Sequence, residues 1–136
     1  MRKTILLIED DLEIIDIYTI TLQDIAKFKI EAIRFGYESL EWIKKVKDGK
    51  VKKPDLVLLD LILPDMNGLD ILKEMKKVKE TKDIPVFILT NYSSSQLRTL
   101  GFKLGSEEYL TKTKYPPSKL ITLIKERLKK KKKGPD

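Results

Sequence analysis

The segment Asp55-Leu-Val-Leu-Leu-Asp60 closes the most apolar run of the chain on a carboxylate and passes into Leu61-Ile-Leu-Pro-Asp-Met-Asn-Gly68. A leucine- and valine-rich run bounded by Pro54 and a Pro/Gly loop reads as a strand buried on both faces. A carboxylate at the end of such a strand is costly without partners. Thr4-Ile-Leu-Leu-Ile8, the other strongly apolar segment, ends on Glu9-Asp10-Asp11. Two acidic strand ends in one small domain suggest a divalent cation.

Working outward, apolar runs alternate with helical periodicity. Strand-like runs are expected at Thr4–Ile8, Lys29–Phe35, Asp55–Leu59, Ile84–Leu89 and Glu108–Leu110. Helices are expected over about Leu12–Ala26, Tyr37–Lys47, Gly68–Val78, Ser95–Leu104 and Pro117–Lys131. Five strands alternating with five helices predict an α/β, flavodoxin-like, doubly wound five-stranded parallel sheet in the order 2-1-3-4-5. Asp10 or Asp11 is expected to cap the first helix, and Ser93–Ser95 to cap the fourth. Gly105 suits a left-handed turn, and Pro116-Pro117 the start of the last helix. In the first helix Ile14, Ile15, Tyr18, Leu22 and Ile25 share one face at 3.6-residue spacing, with Ile17 and Ile20 pointing away.

At 136 residues the chain is long enough for one domain with an unstapled core. The absence of cysteine and histidine excludes disulfides, thiolate metal sites, imidazole catalysis and a phosphohistidine carrier. Residues 119–136 hold eight Lys/Arg and two acids, so most of the net charge of +7 belongs to the C-terminal segment. The expected domain is 1–128, with 129–136 as a basic tail. No stretch approaches a membrane span or a signal peptide, so a cytoplasmic location is expected.

In the expected strand order, strands 1, 3, 4 and 5 lie side by side. Their carboxyl ends carry Glu9 and Asp10, then Asp60, then Thr90, then Lys112. Ligands bind at that edge in open parallel sheets. Hard cations such as Mg²⁺ take oxygen ligands and few carboxylates, which suits Asp10 and Asp60 as direct ligands, with Glu9 acting through water. A carboxylate can also accept a phosphoryl group as an aspartyl phosphate. Lys112 and the Thr90 hydroxyl are suited to the phosphoryl oxygens.

Leu6-Leu-Ile-Glu-Asp-Asp11, Leu58-Leu-Asp-Leu-Ile-Leu-Pro-Asp-Met-Asn-Gly68, Ile88-Leu-Thr90 and Tyr109-Leu-Thr-Lys112 together resemble the receiver domain of two-component response regulators. The resemblance spans about residues 3–128. It implies Asp60 as phosphoacceptor, served by a sensor histidine kinase or a phosphotransfer protein. It implies Mg²⁺ held by Glu9, Asp10, Asp60 and the Ile62 backbone carbonyl. Thr90 and Tyr109 match the family's switch residues, and Ile62 and Tyr92 flank the expected path of hydrolytic water. The chain catalyses its own phosphorylation and dephosphorylation only on this reading, and signals to an output protein that the sequence does not name. Thr113 stands where the family usually has proline, so a trans bond after Lys112 is expected.

Three other readings compete with this one. A flavin mononucleotide carrier would share the fold, but Glu9-Asp10-Asp11 puts negative charge where its phosphate would sit. A receiver-like protein-interaction scaffold without phosphorylation would not need the full set of acids with Thr90 and Lys112. Polyanion binding through Lys129–Lys133 competes with a solvated helix end, and no specific nucleic acid is expected.

Overall fold

The computed structural model describes residues 2–130. Five parallel strands, β1 (Thr4–Ile8), β2 (Lys29–Ile33), β3 (Leu56–Leu59), β4 (Val86–Thr90) and β5 (Glu108–Thr111), pair in the order 2-1-3-4-5. Between and after them run α1 (Leu12–Ile20), α2 (Gly36–Lys47), α3 (Gly68–Lys77), α4 (Ser95–Lys103) and α5 (Pro117–Lys129). The expected architecture is the observed one.

Period-two alternation along the strands sorts their side chains into two cores. Leu6, Ile8, Val57, Leu59, Val86, Ile88 and Tyr109 face α2 and α3, meeting Ile43, Leu69, Ile71, Leu72 and Met75. Ile5, Leu7, Leu56, Leu58, Phe87, Leu89 and Leu110 face the other way, meeting Tyr18 and Leu22 together with Leu120, Ile121 and Ile124 of α5. β3 and β4 are buried throughout, which explains their unbroken apolar runs.

Several boundaries differ from the expected ones. β2 ends at Ile33, because the chain turns into the N-terminus of α2 at Gly36. β4 starts at Val86, since Pro85 has no N–H for the ladder and only its carbonyl is used, by Val57 N at 2.9 Å. The first helix changes pitch: Thr21–Ile25 is a π-helical turn following α1. Its wider turn breaks the 3.6-residue phase after Leu22, so Ile25 is 70% exposed rather than on the core stripe. Tyr18 and Leu22 are buried, whereas Ile17 and Ile20, off that stripe, are exposed rather than part of a broad core contact.

Asp11, not Asp10, caps α1, accepting from Glu13 N at 2.9 Å and Ile14 N at 3.3 Å. Ser94 caps α4, and Pro117 opens α5 after Pro116. Gly105 has φ of 111°, in the region that favours glycine. Lys129 is the last residue of α5. Lys131–Lys133, and with them most of the expected basic tail, lie outside the described residues.

Gly68 closes the loop after β3. Its N–H bonds Leu61 O at 2.8 Å, and an added Cβ would stand 2.2 Å from the Asp60 carbonyl oxygen and 2.9 Å from Leu61 Cα. Neither backbone atom can swing away. Gly68→Ala is expected to lower unfolding stability by about 1–3 kcal/mol, through overpacking against the end of β3. A urea titration with an unchanged midpoint would show that the loop yields freely.

Candidate functional site

Strand register assembles the site. Ile8 pairs Leu59 across β1 and β3, so the next residues, Glu9 and Asp60, emerge side by side. Leu59 pairs Ile88 across β3 and β4, and Thr90 pairs Thr111 across β4 and β5. Asp60 N bonds Ile8 O at 3.0 Å and Lys112 N bonds Thr90 O at 2.8 Å, carrying the ladders one residue past the strands. Glu9, Asp10, Asp60, Ile62, Thr90, Tyr92 and Lys112 line one cleft of about 390 Å³, together with Asp11, Ile14 and Asn91. Each candidate read from the strand ends is therefore at this edge.

Glu9 is 2% exposed and Asp60 7%. The Lys112 ammonium lies between them, bonded to Glu9 Oε1 and to Asp60 Oδ2, the latter at 2.9 Å. Asp60 Oδ1 accepts from Ile62 N at 3.2 Å, and Glu9 Oε2 accepts from Asp11 N at 3.1 Å. Carboxylate oxygens of Glu9, Asp10 and Asp60 lie within 4.8 Å of one another. Three carboxylates against one ammonium leave two negative charges uncompensated. That excess, all on oxygen donors, suits a hard divalent cation.

Burial pushes the Glu9 carboxyl above its ordinary range, and the Lys112 and Asp11 bonds only partly oppose this. Burial also works against the Lys112 ammonium, but the bonds to Glu9 and Asp60 outweigh it and raise its pKa. The lysine therefore keeps its charge at neutral pH.

Thr90 is fully buried, and its Oγ1 accepts from Tyr92 N at 3.4 Å. Tyr109 stands behind the cleft, buried, with its hydroxyl donating to Tyr92 O at 2.8 Å. The strand-5 aromatic is thus tied to the loop after β4. Ile62 and Tyr92 are 50% and 53% exposed, in the loops after β3 and β4 respectively. No cis peptide occurs among the described residues, so the Lys112–Thr113 bond is trans. The loop after Lys112 is closed instead by Lys114 N and Tyr115 N, both on Thr111 O at 3.0 and 3.1 Å.

Asp65 was not legible as part of this edge. Its carboxylate accepts from Gly36 N at 2.7 Å and Tyr37 N at 2.9 Å, capping α2 from the β3–α3 loop. Those two N–H bonds lower its pKa. Nothing local in Pro64-Asp65 signals a partner in a segment so far away along the chain.

Residues 5–125 match the response regulator receiver domain family, and the chain belongs to that family. It is 30% identical over 130 residues to the DNA-binding response regulator MtrA of Mycolicibacterium paratuberculosis, covering 96% of this chain and 53% of that protein. The chain thus spans about half the length of the curated relatives it matches. Among solved structures it is similar to the phosphorylated cyanobacterial phytochrome response regulator RcpA, with TM-score 0.79 and 27% identity, covering 93% of this chain and 91% of that one. It is also similar to the Mn²⁺-bound form of response regulator Rcp1, with TM-score 0.80 and 25% identity, covering 98% and 99%. Among the described residues no helix is long and apolar enough to cross a membrane.

The raised Glu9 carboxyl fixes the sign of a pH effect in metal-free protein. Between the ordinary value of 4.5 and the raised folded value, the native state keeps a proton that the unfolded chain releases. Stability from this group therefore falls as pH rises through that interval. Glu9→Gln is expected to raise the metal-free melting temperature at neutral pH, with the gain shrinking as pH falls toward 4.5. A pH-independent difference between the two proteins would contradict the burial argument.

Proposed function

We propose that this receiver domain takes a phosphoryl group onto Asp60 and signals by a change of conformation. The observation that carries the proposal is the convergence of three carboxylates on one buried lysine at the strand ends. In the transfer, an Asp60 carboxylate oxygen attacks phosphorus, and the bond from phosphorus to the donor breaks, the donor leaving with the electron pair. The donor is a phosphohistidine of a sensor histidine kinase or of a phosphotransfer protein. Lys112 exchanges an Asp60 oxygen for a phosphoryl oxygen, and the Thr90 hydroxyl donates to another. Mg²⁺, held by Glu9, Asp10, Asp60 and the Ile62 carbonyl, would neutralise charge on the phosphoryl oxygens. The phosphorylated RcpA and Mn²⁺-bound Rcp1 structures support both halves of this reading by likeness.

The switch follows from the connections behind the cleft. Drawing Thr90 toward a phosphoryl group disturbs the Tyr92 N–H that its hydroxyl oxygen now accepts, and with it the carbonyl that Tyr109 bonds. Tyr109 then changes rotamer and alters the β5 surface read by an output protein, a population shift biased by the new charge. The receiver unit is assigned to 1–128, with 129–136 as a basic tail. The chemistry is confined to making and losing this chain's own phosphate.

Incubation with a small phosphodonor and Mg²⁺ is expected to add one acid-labile phosphate, detected by intact mass, and Asp60→Asn to abolish it. Asp10→Ala should reduce the yield at limiting Mg²⁺. Equal phosphate on the Asp60 variant would sink the assignment.

Phosphate lifetime is set on this reading by the two exposed side chains flanking the water's approach. Ile62 and Tyr92 offer no general base at neutral pH and shield the phosphorus. Ile62→Asn combined with Tyr92→Glu is expected to speed loss of phosphate by about tenfold or more. An unchanged decay in the double variant, followed by the same mass measurement, would remove the shielding argument.

A further inference from the structure

Arg34 lies one residue beyond β2, outside every motif used above. The last backbone link between the β1 end and β2 is Glu9 N to Ile33 O, at 2.9 Å. The next carbonyl along, that of Asp10, receives two N–H groups of Arg34, from Nε and Nη2, each at 3.2 Å. The guanidinium carbon sits 5.3 Å over the Phe35 ring, and Phe35 in turn stacks on Tyr37 with centroids 5.8 Å apart. A planar, two-pronged donor held on an aromatic face fixes orientation as well as distance. On its other side, the Glu9–Asp11 loop is held by Asp11 N on Glu9 Oε2 and by the Asp11 cap of α1. Asp10, the least buried of the three carboxylates, thus has its backbone pinned from β2 through Arg34.

We propose that Arg34 is a positioning residue, clamping the Asp10 backbone so that the Asp10 carboxylate is pre-set for a divalent cation. The proposal rests on the cation-dependent reading of the site given above. Arg34 reaches the cation only through Asp10. A cation beside a cation site also has an opposite effect, because its charge repels the incoming metal. Clamp and charge therefore predict opposite signs when Arg34 is replaced by a neutral residue of similar length.

The test compares the parent chain with Arg34→Met and Arg34→Lys, titrating Mg²⁺ by calorimetry at fixed pH and ionic strength. Amide exchange at Asp11 is followed in the metal-free proteins. Arg34→Met is expected to weaken Mg²⁺ binding by about tenfold, the low end for a residue supporting a metal ligand, and to speed Asp11 exchange. Arg34→Lys, with one donor group in place of the fork, should fall between. In an Asp10→Ala background, where only the charge effect is left, Arg34→Met should no longer weaken residual Mg²⁺ binding. Tighter or unchanged Mg²⁺ binding by Arg34→Met overturns the proposal, as does unchanged Asp11 exchange. Should the parent chain take no Mg²⁺, the phosphoryl-transfer reading falls, and the exchange measurement still decides whether the clamp exists.

Discussion

Two carboxylates and an ammonium buried together at the ends of β1, β3 and β5 impose the main constraint on this protein. Glu9 and Asp60 cannot be placed there without Lys112, since an isolated buried charge costs several kcal/mol, on the order of 3–5 when its partner is removed. Lys112 in turn reaches them only because β5 is two strands away from β3 in a register that ends at Thr90 and Thr111. Asp10 adds negative charge that the lysine does not balance. The fold is thus built around a site that is short of positive charge. A divalent cation would relieve that shortage, and on the proposed function a phosphoryl group would take over the lysine.

Much of this was readable from sequence because burial on both faces makes a strand unmistakable. Asp55-Leu-Val-Leu-Leu-Asp60 and Thr4-Ile-Leu-Leu-Ile8 have no polar alternation, and a parallel sheet then places their carboxyl ends together. Thr90 and Lys112 followed from the same rule of strand ends. What escaped the sequence depends on contacts between distant segments. The Asp65 cap on α2 and the Arg34 fork on Asp10 carry no local signature, and either residue alone reads as a solvated charge. Ile25 leaves the core stripe for a different reason. Its spacing obeys the α-helical period, and only the π-helical turn from Thr21 shows that the period does not persist.

The same distinction separates the chemical core of the site from its rim. Glu9, Asp60 and Lys112 are buried and mutually bonded, so substitution of one disturbs the others. Ile62 and Tyr92 are half exposed, so on the proposed function they are the side chains that can vary with small structural consequence while changing what approaches Asp60. Tyr109 belongs to neither group. Its ring is in the core while its hydroxyl holds the rim through the Tyr92 carbonyl. On the proposed function it is the side chain through which a change at the rim would reach α4 and β5.

The most direct measurement is a crystal structure of the chain grown with Mg²⁺ and a beryllium fluoride phosphoryl mimic. Beryllium bonded to an Asp60 carboxylate oxygen is expected, with the metal on Asp10 and Asp60 and the Lys112 ammonium moved from Asp60 onto a fluorine. Lys112 still bridging Glu9 and Asp60, with metal and mimic both absent from the cleft at saturating concentrations, would contradict the central claim.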